Sequence, residues 1–454
     1  MVMAAALDHY SSQIDHHVFM KHSRFGDASS AQPNNRQLDT RLIAKRLIHD
    51  ALTQRVSRID TDHCEAGDED TFFVADLGEV YRQHMRWKMN LPRVKPFYAV
   101  KCNPDPTLLR LLAELGTGFD CASKGEIEQI LGMGVDANRI IFAQPCKTNS
   151  YLRYVRQAGV KQMTFDNADE LRKVAKFFPG AELFLRIMTD DTSSLCRLSM
   201  KFGAAMEDTQ DLLKEARNLG LNVVGVSFHV GSGASDPMAF YQAVQDAHTV
   251  FQQGRALGFE INTLDIGGGF CTETFDKMAT VLRTALDEFF PSETGVAIIA
   301  EPGRYYAANA FTIACNIIAR RTIEMPGTGT KGYMAYINDG IYGNFSSIMF
   351  DHQHPVAKVL YANGQVQYDT ELAEACGPHD GVEYSIWGPT CDGIDRITDS
   401  IRFKQVLDVG DWLYFENMGA YTKCSATKFN GFNNEHDVIY VCSEPGAKAL
   451  LSNF

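Results

Sequence analysis

From about Phe72 onward the chain alternates short, β-rich apolar runs with segments whose apolar residues recur at three- and four-residue spacing. That alternation is the signature of βα units around a parallel sheet. Eight strand candidates can be counted: PFYAVK ending at Lys101, GFDCA, RIIFAQ, QMTFDN, LFLRIM, VVGVSFHVG, INTLDIGG and GVAIIAE, with a helical pattern between each successive pair. The segment after the first strand shows the logic. Leu108, Leu111, Leu112 and Leu115 fall on one helical face, Asp105 with Pro106 opens the helix and Gly116 stops it. Eight βα repeats predict a closed (β/α)8 TIM-type barrel rather than an open sheet. FFVADLGEVYRQHMRWKM, before the first counted strand, predicts a lead-in strand and helix. After about residue 310 the pattern switches to short strands bounded by Gly, Asn, Asp and Pro, such as KGYMAYIND, AKVLYANGQVQYD, DWLYFEN and DVIYVCS, which predicts a mostly antiparallel β domain. Residues 23–42 are polar and carry no apolar periodicity. The expected division is a mobile arm over 1–42, a lead-in over 43–75 joining the β domain, the barrel over 76–310 and the C-terminal β domain over 311–454.

Composition narrows the function. A chain of 454 residues, 45% hydrophobic, can bury a large core, and its net charge of -13 argues against nucleic-acid binding, which needs a clustered basic surface. A small-molecule substrate is expected instead. The 11 cysteines, odd in number and without a Cys-x-x-Cys pair, fit neither a disulfide framework nor a zinc site and favour a reducing compartment. The N-terminal MVMAAALDHYSS reaches Asp8 before an apolar signal region can form, and no later run approaches membrane-spanning length. A cytoplasmic protein without membrane attachment is the expectation.

In a barrel of this kind the strand C-termini form the active face. Here they end in Lys101, Asp120, Gln144, Asp166, Arg186, His229, the Gly267-Gly268-Gly269 run, and Glu301 with Arg304. Lys101 follows the apolar run PFYAV, where desolvation would favour the neutral amine that Schiff-base chemistry needs. A Gly-rich strand-to-helix turn lets backbone N–H groups approach an anion, and Glu301-Pro302-Gly303-Arg304 lies on the adjoining strand. A Glu opposite a pyridine nitrogen keeps it protonated and makes the ring an electron sink, while an Arg neutralises a phosphate. His229 reads either as a satisfied core histidine or, with the Gly231-Ser232-Gly233 turn after it, as a residue beside a flat anionic ligand. Ser123-Lys124-Gly125-Glu126 reads as a capping box as readily as a catalytic element. In WGPTCDGID, Cys391 can serve as an acid and Asp392 can receive an ammonium. His352-Gln353-His354 reads as a polar turn, and no metal is expected.

The segments PFYAVKCN, FDCASKGEIEQ, SFHVGSG, LDIGGGF, EPGRYY, NDGIYGNF, WGPTCDGID and ENMGAYTKCSATKFNGF closely resemble the eukaryotic ornithine decarboxylases, fungal ones included, within the alanine-racemase-like fold type III pyridoxal-phosphate family. The match runs from about residue 72 to the C-terminus. The resemblance implies pyridoxal 5'-phosphate as cofactor and decarboxylation of L-ornithine to putrescine, the first step of polyamine biosynthesis. It makes Lys101 the Schiff-base lysine, His229 the residue stacked on the ring and Glu301 the partner of the pyridine nitrogen. Ser232, Gly267, Gly268, Gly269, Gly303, Arg304 and Tyr421 match the phosphate surroundings, and Asp120, Glu126 and Arg186 match residues around the ring and lysine. Tyr342 and Asp351 match residues near the substrate end, Cys391 the thiol that returns a proton to the α-carbon, and Asp392 the carboxylate that receives the distal ammonium. In the family these last two come from the neighbouring subunit, so a homodimer with shared sites is implied, and an antizyme-type regulator is a further possible partner. Phe350 stands where many relatives carry Tyr. The chain ends at Phe454 without the long degradation tail of some animal relatives, so turnover control through that element is not expected.

Two other readings compete. A catalytically dead protein of the antizyme-inhibitor kind would have lost the cofactor chemistry, whereas Lys101, Glu301, Arg304, Cys391 and Asp392 are all present. A sister decarboxylase would act on lysine, arginine or diaminopimelate. The acidic pair Asp351 and Asp392 suits a terminal ammonium, and a diaminopimelate site would want an Arg nearby. One methylene separates ornithine from lysine and is worth only about 1 to 3 kcal/mol in a pocket.

Overall fold

The computed structural model describes residues 35–452 other than 61, 325–328, 330, 378 and 434. Eight parallel strands close into a barrel: β2 Val94–Ala99, β3 Gly118–Cys121, β4 Ile140–Phe142, β5 Gln162–Phe165, β6 Glu182–Arg186, β8 Asn222–Ser227, β10 Thr263–Asp265 and β11 Ala297–Ala300. They are the eight strands expected from the sequence. Each is short and mostly buried, with its polar residues chiefly at its ends, because it is covered by helices outside and side chains inside. Phe97, Ile141, Phe184 and Ile299 form a cluster apart from the main core and fill the barrel interior. Glycine on two strands makes room for these rings, since a Cβ at Gly118 would collide with Phe97 and one at Gly225 with Phe184.

The connecting helices follow their start signals. Asp105 accepts from the backbone N–H groups of Thr107 and Leu108, both at 3.0 Å, at the head of the helix Pro106–Glu114, whose Leu108, Leu109, Leu111 and Leu112 are buried. Asn167 caps the helix Ala168–Phe177 in the same way through Glu170 N at 2.9 Å. Each cap satisfies N–H groups that would otherwise be orphaned in the first turn.

The second domain is a nine-stranded sheet. Strand β1, Phe72–Asp76, is buried along its whole length between β12, Phe311–Glu324, antiparallel on one side, and β19, Val438–Val441, parallel on the other. Strand β12 then continues past β1 to pair with Lys331–Ile337, so one long strand ties the two parts of the sheet together. All but two of the pairings in this sheet are antiparallel. Of the expected arm over 1–42, residues 1–34 lie outside the described residues. Residues 35–42 are helical rather than irregular, being the start of the helix Asn35–Val56. Sequence periodicity missed this because the apolar face of the helix falls in its second half, where Leu52 and Val56 pack on Phe72, Val74, Trp412 and Tyr414.

Candidate active site

The sequence-nominated residues converge at the C-terminal mouth of the barrel. Lys101, His229, Ser232, Gly269, Glu301, Gly303, Arg304 and Tyr421 line one narrow cavity. Lys101 sits in a single 3-10 turn directly after β2, and its amine donates to the carboxylate of Asp120 at the end of β3. Burial opposes the ammonium charge, but Asp120, Tyr421 and Glu301 outweigh it and raise the lysine above its ordinary value. The expectation of a neutral amine is therefore corrected. The apolar run PFYAV supplies the walls, yet the lysine tip meets the carboxylate of Asp120, and a nearby carboxylate stabilises the ammonium.

Glu301 is buried at the end of β11, and its carboxyl is pushed well up, by burial first and then by Asp265 and Asp120. His229 is held with Nδ1 accepting from Gly231 N at 3.0 Å. Burial, Arg186 and Lys101 all press its imidazole toward the neutral form. A neutral ring whose Nδ1 is an acceptor carries its proton on Nε2.

The Gly267–Gly269 run is shaped by close approach. Gly267 and Gly269 have φ of +64° and +105°. A Cβ at Gly268 would lie 2.8 Å from both the Glu301 carbonyl oxygen and His229 Nε2, and one at Gly269 would lie 2.7 Å from the Gly231 carbonyl. Only glycine lets this turn lie so near the histidine loop. Arg304 opens the short helix Arg304–Ala307. Its Nη2 donates to Ser232 Oγ at 3.1 Å and to both oxygens of Asp351 at 2.6 Å, while its Nε, buried, has no partner among the described residues. The guanidinium lies 5.1 Å from the centre of the Tyr421 ring. Tyr421 itself holds φ of +55°, uncommon for a bulky side chain.

Glu126 forms the expected capping box. Its N–H donates to Ser123 Oγ at 3.3 Å, and its carboxylate accepts from Ala122 N at 2.6 Å, a capping arrangement at the start of Lys124–Gly132. It also lies close enough to Asp120 and Lys101 for both charges to act on it. Arg186 ends β6 with its guanidinium 5.1 Å from the Phe202 ring centre.

The substrate-end residues divide into two groups. Asp351 joins the cavity through Arg304 and accepts from Cys196 Sγ at 3.4 Å. Tyr342 instead donates to Asp392 and stacks on Phe429 with ring centres 4.4 Å apart. Cys391 is exposed beside this pair, its backbone N–H bonded to Asn430 Oδ1 at 3.0 Å. Neither Cys391 nor Asp392 lines the lysine cavity.

Sequence reasoning passed over several residues that build the site. Asp395, 1% exposed, receives Ile341 N, Thr390 N and Thr390 Oγ1 and so shapes the WGPTCDGID loop. Asp191 receives the N–H groups of Leu198 and Ser199 and folds the loop that carries Cys196. Asp265, wholly buried at the end of β10, touches the Gly turn through Gly267 N at 2.9 Å. An acid inside an apolar strand run was the available signal in TLDI.

The family model of the pyridoxal-dependent decarboxylases, pyridoxal binding domain, matches residues 77–308. An ornithine decarboxylase of Neurospora crassa is 70% identical over 90% of this chain and 89% of its own length. The chain belongs to the pyridoxal-dependent decarboxylases. This decarboxylase is also 49% identical to antizyme inhibitor 2 of Xenopus laevis, over 84% of this chain and 83% of that protein. Among solved structures, the arginine decarboxylase of Paramecium bursaria Chlorella virus bound to agmatine superimposes with a TM-score of 0.76 at 32% identity, covering 87% of this chain and 100% of that one. No helix among the described residues of the decarboxylase is long and apolar enough to cross a membrane.

Its cavity fits pyridoxal phosphate on its own terms. A backbone turn that tolerates no Cβ, a buried guanidinium with an unpartnered N–H, and a buried carboxyl facing a lysine are the anion cradle, counter-charge and ring partner such a cofactor requires.

Proposed function

We propose that this chain decarboxylates L-ornithine to putrescine and CO2, with Lys101 as the amine that holds pyridoxal phosphate. The observation that carries the reading is the assembly of Lys101, Glu301 and Arg304 around one cavity in a chain so close to a fungal ornithine decarboxylase. The bound cofactor supplies an electron sink for the pair left on the α-carbon as CO2 departs. Glu301 would partner the ring nitrogen and keep it protonated. Arg304, Ser232 and the Gly267–Gly269 turn would hold the phosphate, with Gly303 and Tyr421 beside them. His229, neutral, would pack against the ring, and Asp120, Glu126 and Arg186 would set the charge around the lysine and ring.

The substrate end is completed by a second subunit in this proposal. Tyr342, Asp392 and Cys391 stand together without lining the lysine cavity, in a domain that exposes Met349, Val356 and Ile394 around a groove of 1120 Å³. Exposed apolar side chains around such a groove suit a subunit interface. Asp392 would receive the distal ammonium, and Cys391 would return a proton to the α-carbon. Asp351 supports the same end from the barrel side. The likeness to antizyme inhibitor 2 also supports an antizyme-type regulator as a partner of the same fold.

The test is product formation by purified protein given ornithine, lysine, arginine and diaminopimelate at equal concentration. Putrescine should form fastest, with cadaverine a minor product because one methylene discriminates by only roughly 10- to 200-fold. Absence of any amine product with added cofactor would favour a binding protein, and preference for arginine or diaminopimelate would move the substrate assignment.

A further inference from the structure

The strands β10 and β11 run side by side, with Asp265 opposite Ile299, and bring two acids to the floor of the site. Asp265 is wholly buried and Glu301 nearly so. Glu301 acts on Asp265 as a side-chain hydrogen-bond partner, and the Asp265 charge acts in turn on Glu301. A backbone link ties them as well: Gly267 N donates to Asp265 Oδ1 at 2.9 Å, and Glu301 N donates to the Gly267 carbonyl at 2.6 Å. Asp265 Oδ2 is buried and receives no N–H or O–H from any described residue. Two carboxylates cannot both be ionised in contact inside a protein, so such a pair holds a proton between them.

We propose that Asp265 is a positioning residue for Glu301: the pair shares one proton, and when a ring N–H approaches Glu301 that proton resides on Asp265, which donates to the Glu301 carboxylate. This rests on the proposed placement of Glu301 opposite the pyridine nitrogen. The proton count is unchanged, because the O–H only passes from one carboxyl to the other. The other groups acting on the pair are Asp120, which disfavours a second negative charge, and Lys101 and Arg186, which favour one. His229 nearby is driven toward its neutral form. Burial lifts Asp265 to about 7 and Glu301 well above its usual range, in keeping with a retained proton.

Infrared spectroscopy of the cofactor-free protein at neutral pH tests the shared proton. The carbonyl stretch of a buried, protonated carboxyl should be present in the wild type and absent from both Asp265→Asn and Glu301→Gln. Addition of pyridoxal phosphate to the wild type should shift this band without removing it. In Asp265→Asn the amide Oδ1 can still accept from Gly267 and the amide N–H can donate to Glu301. That variant should therefore keep cofactor affinity and turnover within about threefold, whereas Asp265→Ala should lose about 10- to 100-fold in turnover through loss of a hydrogen bond to a charged group. A band that survives both substitutions overturns the proposal, as does an Asp265→Asn variant as impaired as Asp265→Ala with an unchanged melting temperature. Failure of the wild type to bind cofactor would count against the function proposed above, while the band in the cofactor-free protein would still decide the shared proton.

Discussion

In the proposed reaction Glu301 is the carboxylate kept beside a ring nitrogen while electron density builds on the ring. Glu301→Gln removes the charge and leaves the shape, so it should bind pyridoxal phosphate yet lose roughly 10²- to 10³-fold in kcat. Steady-state kinetics beside a cofactor-binding titration checks this, and an unchanged kcat would return Glu301 to a structural role. In the proposed reaction Cys391 only delivers a proton after CO2 has left. Cys391→Ala should leave KM for ornithine within about twofold and divert part of the product to an aldehyde, because the carbanion is then protonated elsewhere. Clean putrescine at the parent rate would make the thiol a bystander. Glu301 was legible because it ends a strand with a side chain whose chemistry is uncommon there, and Cys391 because it stands beside an acid in a turn-rich loop. Asp265 was not, since an acid one position inside an apolar run carries no sign of what it faces. The charge state of Lys101 was also hidden, because Asp120 reaches it from a neighbouring strand 19 residues on.

Among the elements, the strand-to-helix turn Gly267–Gly269 and the β4–β5 junction are the parts most exposed to single substitutions. Gly268→Ala should abolish measurable cofactor binding while leaving the far-ultraviolet circular dichroism intact, since the atoms nearest the added methyl belong to His229 and the Glu301 carbonyl. At the junction, the Lys147 amine is fully buried, 3.1 Å from Glu170 and bonded to the carbonyls of Gln144 and Thr164. Burial lowers this lysine to about 8 against an ordinary 10.5, even with Glu170 opposing. Between those values the unfolded chain holds the extra proton, so this group's contribution to stability rises with pH across that window. Glu170→Gln strands the ammonium and should destabilise the fold by about 3 kcal/mol at pH 7. The deficit should shrink by pH 9.5, where the amine can be neutral, as read by urea denaturation at both values. The barrel strands could be picked out in order from sequence because burial on both faces leaves them mostly apolar. Pairing in the second domain could not be read. The parallel pairing of Lys331–Ile337 with Val382–Trp387 joins strands about fifty residues apart whose patterns carry no mark of each other.

For the whole molecule, the absence of the Tyr342–Asp392–Cys391 group from the lining of the Lys101 cavity makes a specific demand on assembly. If one site draws on two chains, Lys101→Ala and Asp392→Ala subunits should rescue each other. Random exchange gives about half heterodimers, each with one site carrying both lesions and one carrying neither, so activity should return to roughly a quarter of the parent. A mixture that stays dead after exchange has been verified with a tag would place both groups in one chain. Every proposed role depends on Lys101 holding pyridoxal phosphate in the barrel. Borohydride reduction of the cofactor-loaded protein, followed by peptide mapping, tests that directly. It should abolish a visible absorption band and leave one pyridoxyl group per chain on Lys101, with none on a Lys101→Ala protein. A protein that stays colourless with added pyridoxal phosphate, or a label on another lysine such as Lys147, would contradict it.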